Sequence, residues 1–218
     1  MNEIYLDHAA STPVRPSAAE LQLRLQLEQP ANPSSVHRAG QRARRVLEAA
    51  REQAARALDA ASPAEIIFTS GATEALNQLL TGLAARPEFR RFLVSPLEHP
   101  AVDVTVRTLK ERGVQVEFLE PVNGAITAES LTKAEPGPGD VVVAMLVNNE
   151  TGVVTGVRHL ANVAHRRGAL FVCDATQAFG FEPVSVRELH VDAAVFSGHK
   201  FGGPRGTGLL WLRDGLDL

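Results

Sequence analysis

Lys200 is the residue of this sequence with the widest chemical reach. It closes the run Ser197-Gly198-His199-Lys200, and a lysine lodged in a desolvated crevice has a lowered amine pKa and can attack an aldehyde. On an open surface the same residue is a point charge for a phosphate, or simply a solvated lysine. Asp174, in Cys173-Asp174-Ala175-Thr176-Gln177, suits a second task. A carboxylate facing a pyridine nitrogen keeps it protonated, and the protonated ring stabilises a carbanion. Its plainer role is a helix cap. Asn149 and Gln177 could hydrogen-bond a phenolic oxygen on such a ring, and His99 could lie against the ring face or relay protons. Either His99 or His199, taken alone, also fits a structural histidine with its hydrogen bonds satisfied.

A phosphate would find donors of its own. Gly71-Ala72-Thr73 falls where a strand pattern turns into a helix pattern, so free backbone amides and the positive end of the helix dipole face an anion there. The Thr73 hydroxyl adds a donor, and Ser197 and His199 are further candidates for the same group. The same Gly, Ala and Thr also read as an ordinary helix start. His8, His37, His159, His165 and His190 lack the spacing of metal ligands and are expected to be structural or exposed, so no metal site is expected. Cys173 lies in an apolar strand pattern and is expected to be buried and inert.

These residues need elements that bring them together. Seven short apolar runs read as strands: Ile66–Thr69, Phe92–Ser95, Val114–Leu119, Val141–Val147, Ala169–Cys173, Ala193–Phe196 and Gly208–Leu212. Helical periodicity covers Arg38–Ala60, Thr73–Ala85, Ala101–Arg112 and Arg158–Arg167, with Gly113 and Gly168 at left-handed caps. Alternation of this kind predicts an α/β fold, a mostly parallel seven-stranded sheet with helices on both faces. In such sheets the site lies at the carboxyl ends of the strands. Ala72, Thr73, His99, Asn149, Asp174, Gln177, Ser197, His199 and Lys200 all fall just there in the pattern.

Composition narrows the classes further. The chain is 44% hydrophobic and 22% charged, as in a folded globular protein. Its longest apolar run, Val141–Val147, is far short of the about 20 residues a membrane helix needs. The start, MNEIYLDHAAS, carries no secretory or transit pattern, and one cysteine fits a reducing compartment, so a cytoplasmic location is expected. A net charge of −3 gives no reason to expect nucleic acid or membrane as a partner. The arginines between Arg38 and Arg56 are interrupted by Glu48 and Glu52 at helical spacing, as on a solvated face. Residues 1–60 read as an amino-terminal segment with a long helix and 61–218 as the sheet core, with no boundary that separates two domains.

Seven segments in order, YLDHAASTPV, NPSSVHRAG, FTSGATEALN, LEHPAV, VNNETG, CDATQA and SGHKFGGPRGTG, closely resemble the cysteine desulfurases of the class V aminotransferase group. The resemblance runs from about Tyr5 to Arg213. It implies the large domain of a pyridoxal-phosphate enzyme, with Lys200 holding the cofactor as a Schiff base and Asp174 paired with the ring nitrogen. By the same resemblance Gln177 contacts the phenolic oxygen, and His99 stacks on the ring and moves protons. Asn149 lines the cofactor and substrate pocket, while Ala72, Thr73, Ser197 and His199 surround the phosphate. The implied reaction converts L-cysteine to L-alanine and an enzyme persulfide, in a homodimer. The sulfur would pass to an iron–sulfur scaffold or another sulfur-acceptor protein.

Family members continue past the antiparallel strand implied at Gly208–Leu212 into a smaller domain. That domain normally supplies the persulfide cysteine and the arginine that clamps the substrate carboxylate. Neither has a counterpart in this sequence, so the chain is expected to represent the large domain without the small carboxyl-terminal one, incomplete for turnover alone. Two other readings stay open on the sequence. One is a non-catalytic remnant or interaction module; the other is a selenocysteine lyase or another class V lyase.

Overall fold

The computed structural model describes residues 4–218. Its centre is a seven-stranded sheet in the order β1-β7-β6-β5-β4-β2-β3. The strands are β1 (Ile66–Thr69), β2 (Arg91–Val94), β3 (Gln115–Phe118), β4 (Asp140–Met145), β5 (Leu170–Asp174), β6 (Ala193–Ser197) and β7 (Gly208–Leu212). Strands β3, β2, β4, β5 and β6 run parallel. Strand β7 is antiparallel to both neighbours, so β1 again points the way β6 does. The expected fold class, strand count and antiparallel β7 all stand, with strand ends shifted by one or two residues.

Helices α1 (Pro16–Glu28), α2 (Arg38–Ala57), α3 (Ala72–Ala85), α4 (Pro100–Glu111), α5 (Ala128–Lys133), α6 (Val157–Arg166) and α7 (Val186–Leu189) surround it. Period two along each strand sorts the core into two layers. Phe92, Val94, Val141, Val143 and Val172 face Leu76, Leu79, Leu83, Val102 and Val106 of α3 and α4. Leu93, Val142, Phe171, Cys173 and Phe196 face Leu58, Leu131, Leu160, Ala161 and Val186 on the other side. Every residue of β4 is buried, as a central parallel strand covered on both faces requires. Burying side chains such as Phe92, Phe171 and Leu76 contributes about 1.5–3 kcal/mol each.

Three helices were not anticipated. In α1 the leucines fall at positions 21, 23, 25 and 27, a strand-like period of two, and the helix buries none of its residues. Helices α5 and α7 have only six and four residues, too short to show periodicity. Helix α2 ends at Ala57 rather than Ala60. Asp59 takes a left-handed φ of 54°, and Ala60 N donates back to Ala55 O at 2.9 Å, a Schellman-type stop. The arginine face of α2 is largely exposed, as expected, with Arg56 paired to Glu52 and Arg51 to Glu48. Arg51 differs from the rest. It donates to the carbonyl of Ile66 and lies over the Phe68 ring, 5.2 Å from its centroid, fastening α2 to β1. Gly113 and Gly168 take φ of 93° and 82°, as expected after α4 and α6.

Chain order along the sheet sets where a ligand can enter. From β2 the chain steps outward to β3, then returns to place β4 on the other side of β2 and continues to β5 and β6. Loops leaving β2 and β4 therefore diverge, and open sheets bind ligands in the crevice such a reversal opens.

Candidate active site

A cleft of about 550 Å³ opens at the carboxyl ends of β1, β4, β5 and β6. All nine residues singled out from the sequence border it: Ala72, Thr73, His99, Asn149, Asp174, Gln177, Ser197, His199 and Lys200. Each is delivered by a strand end. Strand β1 leads through Ser70 and Gly71 into α3, which starts at Ala72. Asp174 is the last residue of β5 and Ser197 the last of β6. A tight approach holds the first and last of these together, since a Cβ on Gly208 would come 2.5 Å from Gly71 Cα. Only glycine at 208 lets β7 lie this close to the start of α3.

At one end of the cleft the α3 amino terminus presents its unpaired amides, flanked by Ser197 Oγ and His199 Nδ1, which share a hydrogen bond of 2.8 Å. Burial, and then the charges of Lys200 and Arg205, hold the His199 imidazolium below its usual pKa. A neutral His199 can accept from Ser197 while keeping a donor on its other nitrogen. At the far end Asp174 is buried, and its Oδ1 accepts from Thr176 N at 2.9 Å. Burial raises its carboxyl pKa, while Thr176 and then the positive charges of His99 and Lys200 pull it back. His99 is exposed and caps α4, its Nδ1 accepting from Ala101 N at 3.1 Å. With Nδ1 so used, a neutral ring carries its proton on Nε2.

Lys200 sits between these ends. Burial lowers its ammonium pKa, against the opposing charges of Asp174 and Asp7. Its Nζ donates to the carbonyls of Ala9 and Ala10 at 2.5 and 3.1 Å. Gln177 Nε2 donates to the same Ala9 carbonyl at 2.9 Å, and Asn149 Nδ2 donates to Glu150 Oε1 at 2.7 Å. Both amide donors expected to meet a ring oxygen are thus engaged within the protein.

Several residues of the site were not read from the sequence as part of it. The segment Asp7–Arg15 crosses the cleft: Thr12 N and Oγ1 both donate to His199 O at 2.8 Å, Gly202 N donates to Thr12 Oγ1 at 2.7 Å, and Arg15 N to Gly202 O at 2.9 Å. Its small residues carry no polar side-chain pattern that announces this, because backbone groups do most of the work. Ser11, Thr176 and Arg205 also line the cleft. The Ser11 and Thr176 hydroxyls are buried without a hydrogen-bond partner, an arrangement that calls for a polar ligand. With amides and hydroxyls at one end, a carboxylate at the other and an amine between, the donor set fits a flat, phosphate-bearing heteroaromatic aldehyde. Among the described residues, no group of three or more His, Cys, Asp or Glu is placed to hold a metal ion.

Comparison with known proteins supports the same reading of the chain. The sequence profile of the class V aminotransferases matches residues 4–217. The chain belongs to the class V aminotransferase family. Among its relatives, a cysteine desulfurase of Cereibacter sphaeroides is 40% identical over 220 residues, covering 99% of this chain and 57% of the relative. A putative cysteine desulfurase NifS of Bacillus subtilis is 37% identical, covering 96% of this chain and 54% of the relative. Solved structures agree. A NifS-like protein superposes with a TM-score of 0.95 at 34% identity, over all of this chain and 60% of that one. A cysteine desulfurase from Thermococcus onnurineus solved without ligand gives 0.89 at 32% identity, over 97% of this chain and 54% of that one. This member of the family thus spans a little over half the length of the curated relatives it matches.

Proposed function

We propose that this chain is the pyridoxal-phosphate-binding part of a cysteine desulfurase, acting on L-cysteine. The observation that carries the reading is the amine of Lys200 in one cleft with the buried carboxylate of Asp174 and the amide-rich start of α3. When bound, pyridoxal phosphate supplies an aldehyde for an amine and a ring that withdraws electrons from the bonds around the substrate α-carbon. The residues divide the remaining tasks. Gly71, Ala72 and Thr73, with Ser197 and His199, bind the phosphate and fix the ring's position. Asp174 holds a proton on the ring nitrogen through a charge-assisted hydrogen bond. Lys200 anchors the aldehyde, and its depressed pKa keeps more of the amine neutral, which is the nucleophilic form. His99 would lie against the ring face, leaving Nε2 available for proton transfer because Nδ1 accepts from Ala101 N. Gln177 and Asn149, which now donate to Ala9 O and Glu150 Oε1, would supply amide donors for the ring oxygen and the substrate.

Cys173 is not the sulfur acceptor in this reading. It is buried in β5, and burial, followed by the charges of Asp174 and Glu98, pushes its thiol pKa well above normal, the opposite of what a sulfur-carrying thiolate needs. A homodimer is part of the proposal, supported by Leu23 and Leu27, one turn apart on α1 and both exposed, as apolar side chains on an association surface are. A cytoplasmic location and an iron–sulfur scaffold or other sulfur acceptor as partner complete the proposal. No helix among the described residues is long and apolar enough to cross a membrane.

Titration of the protein with pyridoxal phosphate, followed by the visible absorbance of the bound cofactor, tests the reading. Wild type should bind stoichiometrically, and Asp174→Ala should bind at least about tenfold more weakly, as loss of one charge-assisted hydrogen bond implies. Failure of folded wild-type protein to bind the cofactor would overturn it.

A further inference from the structure

Glu98 stands just behind the cleft, outside its lining, at the point where β2 and β4 part. Strand β2 ends at Val94, and Ser95 N still donates to Val143 O at 2.9 Å. Beyond it the chain turns away, with Leu97 N donating to Ser95 Oγ, so the next donor of β4 has lost its strand neighbour. That donor, Met145 N, goes instead to Glu98 Oε1 at 2.7 Å. Met145 is the residue in register with Asp174 across the β4–β5 pair, and Leu146 N donates to Asp174 O at 2.9 Å. One side chain thus closes the ladder beside the carboxylate of the site, and its own loop carries His99 into α4. The second carboxyl oxygen, Oε2, is buried with no hydrogen-bond partner.

We propose that Glu98 is a positioning residue of the site, whose carboxyl replaces the missing β2 carbonyl at Met145 and so fixes Asp174 and His99 against the bound ring. This rests on the reading of Asp174 as the charge that faces the cofactor. A glutamine side-chain oxygen in place of the carboxyl would accept from Met145 N equally well, so the choice of an acid has an electrostatic side. Asp174 and Cys173 on β5 are the titratable groups that face Glu98, with His99 next in its own loop and Lys200 beyond Asp174. Asp174 has Thr176, His99 and Lys200 to favour its charge, whereas Glu98 has Met145 N and the Ser95 side chain but no cation, and its Oε2 is unpaired. Two carboxyl groups in one dry region do not both ionise readily. Burial, and then the charge of Asp174, push the Glu98 pKa up to about 8. Of the two, Glu98 is therefore the one more readily held as the neutral acid and Asp174 the one more readily ionised. Above about pH 8 a second negative charge arises behind Asp174 and strengthens the hold on a ring proton.

The test uses the 218-residue chain with Glu98→Gln and Glu98→Ala. The glutamine keeps an acceptor for Met145 N but cannot ionise. Loaded with pyridoxal phosphate, Glu98→Gln should match wild type in affinity and in visible circular dichroism at neutral pH. It should lack the alkaline transition of the bound cofactor that is expected of wild type near pH 8. Glu98→Ala orphans Met145 N and should bind the cofactor about tenfold or more weakly, with altered visible circular dichroism. Where Glu98→Ala does not fold, Glu98→Gln decides alone. A second readout needs no cofactor. A raised folded-state pKa costs stability progressively as pH climbs from the unfolded value to the folded one. The melting temperature of Glu98→Gln relative to wild type should therefore rise from about pH 5 to about pH 8 and then level off. A wild-type alkaline transition retained in Glu98→Gln, or a melting difference flat with pH, overturns the inference. If Asp174→Ala binds cofactor as wild type does, the functional reading itself fails, a separate result.

Discussion

The amine of Lys200 lies 2.5 Å from the carbonyl oxygen of Ala9, a residue 191 positions away in sequence. An amino-terminal segment with almost no buried side chains is thereby fastened over the cleft at the lysine that would carry the chemistry. The same segment meets Gln177, His199 and Gly202 through hydrogen bonds. It has little apolar burial to hold it otherwise, so the hydrogen bonds decide its position.

Thr12 is the centre of that attachment, because its hydroxyl donates to His199 O and accepts from Gly202 N. Gly202 itself has φ of 88°, a left-handed conformation that the bond from Thr12 helps to define. Replacement Thr12→Ala should cost about 1–2 kcal/mol in stability and loosen the Ser197–Gly202 turn. Denaturant unfolding measures the first effect. Cofactor affinity measures the second and should fall several-fold, with Thr12→Ser restoring both.

Charge near Lys200 sets the pH at which its amine becomes nucleophilic. Burial lowers its pKa, and the carboxylates of Asp174 and Asp7 work in the raising direction. The neutral amine is the form that attacks, so attachment of pyridoxal phosphate should speed up as pH rises through that lowered value. Asp7→Asn removes one opposing charge, and the midpoint of the rate profile should move to lower pH. Asp7 is exposed, so the displacement should shrink as salt is added. Stopped-flow absorbance across pH measures both effects.

The proposed association through α1 makes its own prediction. Helix α1 buries none of its residues, and Leu23 and Leu27 are 59% and 73% exposed. A dimer formed through this face should give a concentration-dependent sedimentation coefficient in wild type. The double substitution Leu23→Glu with Leu27→Glu should shift the equilibrium toward monomer by at least about tenfold, since it buries two charges in an apolar contact.

How much was legible in the sequence depended on where each feature stores its information. The sheet was readable because its strands are short apolar runs broken by Gly, Pro and Asp, and helices α3, α4 and α6 because their buried positions repeat at threes and fours. The nine cleft residues could be chosen because strand ends in such a sheet converge, which makes sequence position a guide to place. Helix α1 was not legible, since leucines spaced by two misstate its period and it buries none of its residues. The clamp at Ala9 and Ala10 was hidden because backbone carbonyls have no residue type, and Thr12 because its partners are backbone groups about 190 positions away. Glu98 was passed over for a different reason. Its importance comes from the departure of β2 from β4, a feature of topology that no local pattern reports.

The central claim is that Lys200 is the anchor of an aldehyde cofactor. Reduction of the protein with borohydride after incubation with pyridoxal phosphate, followed by peptide mass spectrometry, tests it most directly. The account predicts a pyridoxyl group on the peptide that contains Lys200 and on no other, lost in Lys200→Ala. Labelling spread over surface lysines, or undiminished in Lys200→Ala, would contradict it.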